Sequence, residues 1–199
     1  GARLARAEAD FFTKQTPDKP RYVLGSVGPT NRTCSLSPDV SDPALRTLDF
    51  DTLSAAYREQ MTALMDGGVD GFIIETAFDT LNAKAALCAA ADVMEQKGKT
   101  LPVILSATVA DKAGRTLSGQ TLGAFLTSVE HFPLFAIGLN CSFGAADMLP
   151  FLEELSAKSP FRIIAYPNAG LPDSLGQYSQ TPEQVAAAMK PLSAHRPLN

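Results

Sequence analysis

The sequence predicts an α/β fold on a parallel sheet, and three observations carry that expectation. Short, nearly continuous apolar runs alternate with longer stretches of helical period. No hairpin signal joins one strand candidate to the next, so consecutive strands must run parallel through helical crossovers. The 199 residues are 45% hydrophobic, enough for one domain with a sizeable core. An open doubly wound sheet and part of a (β/α)8 TIM-type barrel both satisfy this pattern. The chain lacks the GxGxxG of a dinucleotide fold and the GxxxxGK[ST] of a phosphate loop, which removes the commonest reasons for an open sheet. A barrel, present in part as about five βα units, is therefore preferred.

The elements follow in order. Residues 1–10 read as a helix already under way and carry no apolar core of a secretory signal. Strands are expected at 22–27, 71–75, 102–109, 135–140 and 162–166, each apolar enough to be covered on both faces. Leu53, Tyr57, Met61, Leu64 and Met65 form one helical stripe, closed by Gly67-Gly68. Asp79 is the expected N-cap of a helix over 80–96 that Gly98 ends. Helices over 121–131 and 145–158 follow the same logic. Thr181-Pro182-Glu183-Gln184 combines an N-cap, a proline at N1 and a capping-box glutamine at N3. The connection over 28–49 is polar, holds Pro29, Pro38 and Pro43, and is long enough to suggest a functional loop.

Composition narrows the function. The net charge of −4 is spread without a Lys/Arg cluster, which speaks against nucleic acid or an anionic membrane as partner. No apolar run approaches the roughly 18 residues of a membrane span. Three widely separated cysteines, Cys34, Cys88 and Cys141, argue against a disulfide framework and for a cytoplasmic setting. No CxxC or HxxxH spacing builds a metal site locally. Cys34 reads as a free thiol in a polar loop, and Cys88, among Ala85, Ala86, Ala89 and Ala90, as helix packing. Neither His131 nor His195 has the placement of a catalytic base.

In a parallel barrel the C-terminal ends of the strands surround one cavity. Those ends are Gly28-Pro29-Thr30, Glu75-Thr76, Ala107-Thr108, Asn140-Cys141 and Pro167-Asn168. Glu75 follows Phe72-Ile73-Ile74, so its carboxylate must be paired or solvated. It can hold an ammonium group, act as a base or close a structural ion pair. Asn168 can cap the turn made with Gly170. Cys141 is either a small buried hydrophobe or a thiol set at the reactive face of the fold.

Longer motifs carry a resemblance. Gly25-Ser26-Val27-Gly28-Pro29-Thr30-Asn31-Arg32, Leu36-Ser37-Pro38-Asp39-Val40 and Phe72-Ile73-Ile74-Glu75-Thr76-Ala77-Phe78-Asp79-Thr80-Leu81-Asn82-Ala83-Lys84 are three of them. Thr116-Leu117-Ser118-Gly119-Gln120-Thr121, Gly138-Leu139-Asn140-Cys141 and Pro167-Asn168-Ala169-Gly170-Leu171-Pro172 continue the series. In this order they resemble the homocysteine S-methyltransferase family, and in particular the homocysteine-binding barrel of cobalamin-dependent methionine synthases.

The resemblance implies a zinc-dependent methyltransferase of methionine biosynthesis. In that family a methyl group passes from methylcobalamin to the homocysteine thiolate, with cobalamin and folate bound on separate domains. By residue, it implies Cys141 as one of three zinc cysteines and Asn168 as an exchangeable zinc ligand. It implies Glu75 as the holder of the homocysteine ammonium and Asn140 as a further substrate-binding residue. The other two zinc cysteines belong to a Gly-Gly-Cys-Cys-Gly motif at strand eight, and Pro197-Leu198-Asn199 resembles the opening of that strand. On this reading residues 1–199 are a partial homocysteine-binding domain holding strands three to seven, without the first two βα units and strand eight. The chain alone is then expected to be inactive and to bind zinc weakly. The alternatives are a non-catalytic piece that self-associates through open sheet edges, a homocysteine methyltransferase using another donor, and a metal-free enzyme with Glu75 as base.

Overall fold

The computed structural model describes residues 1–178 and 180–194, with side chains through 191. His195 and the tail 197–199 lie outside the described residues. Five parallel strands alternate with helices, in the sheet order β1-β2-β3-β4-β5. The elements are α1 (Ala2–Gln15), β1 (Leu24–Val27), α2 (Phe50–Asp66), β2 (Gly71–Ala77), α3 (Thr80–Lys97), β3 (Val103–Ala107), α4 (Leu122–Val129), β4 (Ala136–Gly144), α5 (Ala145–Lys158), β5 (Arg162–Asn168) and α6 (Pro182–Ala194). Each strand neighbours the next one in sequence, the order that strands keep around a barrel. The described residues divide into two compact units, 1–75 with 81–104 and 76–80 with those from 105 onward.

In the first unit, β1 and β2 pair in parallel with Leu24 opposite Gly71 and Val27 opposite Ile74. The core combines Val27, Phe72 and Ile74 with the α2 stripe Leu53, Tyr57 and Met61 and the alanine-rich side of α3. Helix α2 starts at Asp49, whose side chain accepts the Thr52 N–H at 2.7 Å. It closes at Gly67 and Gly68, and it is Gly68, at φ +85°, that takes the left-handed conformation. The first strand is shorter than the expected 22–27. The Val23 N–H donates to the Asp70 carboxylate at 2.7 Å rather than to a ladder partner, and Tyr22 is exposed. The same carboxylate oxygen accepts from Arg6 at 2.7 Å, which ties α1 to the start of the sheet. Desolvation pulls the Arg6 pKa down, but Asp70 and Asp10 outweigh it and hold the guanidinium above its ordinary value.

In the second unit, β4 and β5 pair in parallel with Ala136 opposite Arg162 and Asn140 opposite Tyr166. Leu122, Phe125, Leu126 and Val129 of α4 and Met148, Leu152 and Leu155 of α5 bury their apolar faces in this unit with Ile137 and Leu139. Thr121 caps α4 by accepting the Ala124 N–H at 3.2 Å, and α4 stops at Val129, short of His131. Thr181 and Gln184 form the expected capping box, with bonds of 2.8 and 3.3 Å.

Further expectations need correction: β2 runs past Glu75 to Ala77 and β5 past Tyr166 to Asn168. The strand expected over 102–109 is Val103–Ala107, because Pro102 has no N–H to donate and contributes its carbonyl to Phe72 N–H at 2.9 Å. The strand expected to end at Asn140 runs to Gly144, so Cys141 lies within β4 rather than after it. Cys88 is exposed rather than packed, since α3 turns its alanines inward and the thiol faces away from them. Among the described residues no helix is long and apolar enough to cross a membrane.

Candidate active site

Regular pairing of β4 with β5 stops at Asn140–Tyr166 and resumes at Gly144–Asn168. Four steps along β4 therefore match two along β5, and the two extra residues make a bulge of the kind found beside active sites. Cys141 and Ser142 sit in it at φ +48° and +62°, conformations uncommon for any residue but glycine. The only other described non-glycine residue at positive φ is Thr76, at +58° near the end of β2. All three belong to the second unit, so strain is concentrated at the strand ends that the sequence marked.

Hydrogen bonds hold this region. The Asn140 carboxamide oxygen accepts from the Thr76 N–H at 2.9 Å and from the Ser106 hydroxyl at 2.7 Å. Its nitrogen donates to Thr76 Oγ1 at 2.8 Å. Thr108 Oγ1 lies 3.2 Å from Cys141 Sγ and also bonds the Ser142 hydroxyl. Asn168 closes β5 opposite Gly144 and is half-buried. The structure thus brings Asn140 and Cys141 together with Thr76, Ser106, Thr108 and Ser142. Thr76 and Thr108 were visible as strand-end residues. Ser106 was not singled out, although a serine inside the apolar run Val103-Ile104-Leu105 was a usable signal.

In the first unit, Glu75 lies within β2, is partly exposed and accepts a hydrogen bond from Ser26 Oγ on the paired strand. The loop over 28–49 is anchored from below by Asn82, which is buried in the first turn of α3. Its oxygen accepts the Cys34 N–H at 2.8 Å and its nitrogen donates to the Arg32 carbonyl at 3.0 Å. Tyr57 OH donates to the Gly28 carbonyl at 3.4 Å. Cys34, expected in a polar loop, is buried there.

Zinc is best held by three or four thiolate, imidazole or carboxylate ligands. The Cys141 thiol bonds the Thr108 hydroxyl, and among the described residues no three His, Cys, Asp or Glu side chains gather into a metal site. The residues present do not by themselves fit a zinc ion.

Comparison with known proteins adds the family. Crystal structures of the homocysteine methyltransferase MmuM from Escherichia coli share the fold. The apo form aligns at 22% identity over 84% of this chain and 56% of that one, with a TM-score of 0.67. The metallated form aligns at 22% identity over 96% and 68%, with a TM-score of 0.70. The oxidized form aligns at 19% identity over 98% and 61%, with a TM-score of 0.74. The chain therefore spans between 56% and 68% of these relatives, and it has the fold expected of it, an α/β partial barrel. The sequence profile described as homocysteine S-methyltransferase matches residues 1–198. Matched over that span, the chain belongs to the homocysteine S-methyltransferase family.

Proposed function

We propose that this chain is the homocysteine-binding part of a zinc-dependent S-methyltransferase of the methionine synthase type. The observation that carries the reading is the family match over residues 1–198. In this reading homocysteine is the methyl acceptor, and methylcobalamin, carried with folate on other domains of a longer protein, is the donor. Glu75 supplies the carboxylate that holds the substrate ammonium, and Ser26 orients that carboxylate from the neighbouring strand. Asn140 stands next to Cys141 in β4, with its carboxamide on Thr76 and Ser106. Cys141 supplies one zinc ligand and Asn168 an exchangeable one. The remaining ligands come from outside residues 1–199, so the chain by itself holds zinc weakly and does not turn over.

The chemistry asked of the site is to present sulfur as the thiolate, the nucleophilic form, and to orient it toward the methyl donor. Three cysteines without a disulfide fit a reducing, cytoplasmic setting for such chemistry. Two measurements test the reading. Zinc titrated into the 199-residue chain should be lost readily to a competing chelator; tight stoichiometric zinc would overturn the incomplete site. In the longer protein, Glu75→Gln should weaken homocysteine binding by about tenfold or more, and Cys141→Ser should abolish methylation. Unchanged methylation in both variants would overturn the function.

A second reading rests on the sheet. Strands β1 and β5 each have a single neighbour in the described sheet, and unpaired edges are templates for pairing. The 199-residue chain would then self-associate, and a compact monomer in sedimentation would exclude it.

A further inference from the structure

Asn140 is a buried carboxamide, 5% exposed, and all three of its hydrogen bonds stay within the protein. An amide oxygen has two lone pairs, and here the Thr76 N–H and the Ser106 hydroxyl take both. Nothing is left to accept a proton from a substrate ammonium. Two of the three bonds go to one residue, and that residue is unusual. Thr76 is β-branched and sits at φ +58°, a conformation such residues rarely adopt unless the surroundings impose it. The oxygen of Asn140 holds its backbone N–H, and the nitrogen holds its side-chain hydroxyl. Ser106, fully buried, fixes the carboxamide in the orientation that makes both contacts.

We propose that Asn140 is a positioning residue: it locks Thr76 in the left-handed conformation and thereby sets the direction in which the preceding residue, Glu75, presents its carboxylate. The inference rests on the reading of Glu75 as the ammonium partner. It changes the role of Asn140 from touching substrate to holding the backbone next to the group that does. Thr76 is the natural place for such control, because a left-handed dihedral inside β2 departs from the regular pleat and so re-aims the side chain beside it.

The test is a double-mutant cycle in the longer protein that carries this chain, with two readouts: hydrogen exchange at the residue 76 amide, and kcat and KM for homocysteine. Glycine takes positive φ without a brace, so it replaces the conformation while removing the need for Asn140. In the threonine background, Asn140→Ala should speed exchange at the Thr76 amide and raise KM for homocysteine by about tenfold, with a smaller change in kcat. In the Thr76→Gly background, the same Asn140→Ala change should raise KM by less than about threefold. An equal KM penalty in both backgrounds would mean that Asn140 acts on substrate directly and would overturn the proposal. So would an unchanged amide exchange in Asn140→Ala. If Asn140→Ala does not fold, Thr76→Val takes its place, since it keeps the branched side chain and loses the Oγ1 bond. It should raise KM above that of Thr76→Gly, and equality with the unmodified protein would again overturn the proposal. A wild-type protein that neither binds nor methylates homocysteine would instead sink the proposed function, while the exchange readout still judges the brace.

Discussion

The end of β4 and the loop over 28–49, which follows β1, both carry motifs of the family, yet they are held in opposite ways. At the end of β4 a bulge puts Cys141 and Ser142 at positive φ, and the neighbouring bonds run between residues far apart in sequence, Asn140 to Thr76 and Thr108 to Cys141. In the loop every residue, Gly28 included, stays outside the left-handed region. Most of its bonds are short-range: Ser37 Oγ donates to the Asp39 and Asp42 carbonyls at 2.8 and 2.6 Å, and Asp39 accepts from Ser41 at 2.6 Å. From outside the loop, Asn82 of α3 bonds Cys34 and Arg32, and Tyr57 of α2 bonds Gly28. Local turn chemistry can order a loop without distant partners, whereas unfavourable dihedrals persist only where packed surroundings over-determine them. The comparison teaches that the bulge depends on the tertiary fold and the loop largely on itself.

Variants ordered by expected effect can break that contrast. Gly138 lies inside β4 opposite Ile164, and a Cβ there would fall 1.7 Å from the Ile164 carbonyl oxygen. Gly138→Ala should therefore cost about 3 kcal/mol or more in urea unfolding, because backbone cannot move aside as a side chain can. A loss near zero would show that the β4–β5 pairing tolerates movement. Asn82→Ala should cost about 2 kcal/mol and loosen the loop to protease, since it removes the acceptor of the Cys34 N–H. If the loop stayed as resistant as before, its own turns would suffice. Ser37→Ala should stay within about 0.5 kcal/mol, because its bonds are exposed and water replaces them.

The smallest effect is a pH dependence. The backbone N–H of Thr52, with its hydroxyl, holds the Asp49 carboxyl below its ordinary value. A depressed folded pKa gives a contribution that is present above the unfolded pKa of about 3.9 and is lost as pH falls through the folded value. Asp49→Asn should therefore flatten the acid limb of thermal stability slightly and leave neutral pH little changed. A steeper acid limb in the variant would reverse that assignment.

Much of this was legible beforehand because it depends on near neighbours. The capping box at Thr181–Gln184, the Gly68 helix stop and the span of α5 follow from residues within a turn of each other. Helix α4 was overextended to His131 and the strands misjudged by a few residues, since termini depend on which backbone groups find partners elsewhere. Val23, bonded to Asp70, is the clearest case. Cys88 was misplaced because an alanine-rich helix gives little periodic signal for which side faces out.

The sequence by itself determined the strand–helix alternation, the residues at the strand ends and the family, because burial pattern, capping and long motifs are written in consecutive residues. Only the tertiary structure decided that β4 bulges at Cys141 and that Asn140 spends its carboxamide on Thr76 and Ser106. The two oxygen contacts of Asn140 join positions 64 and 34 residues apart, and a contact at that separation exists only once the strands are side by side.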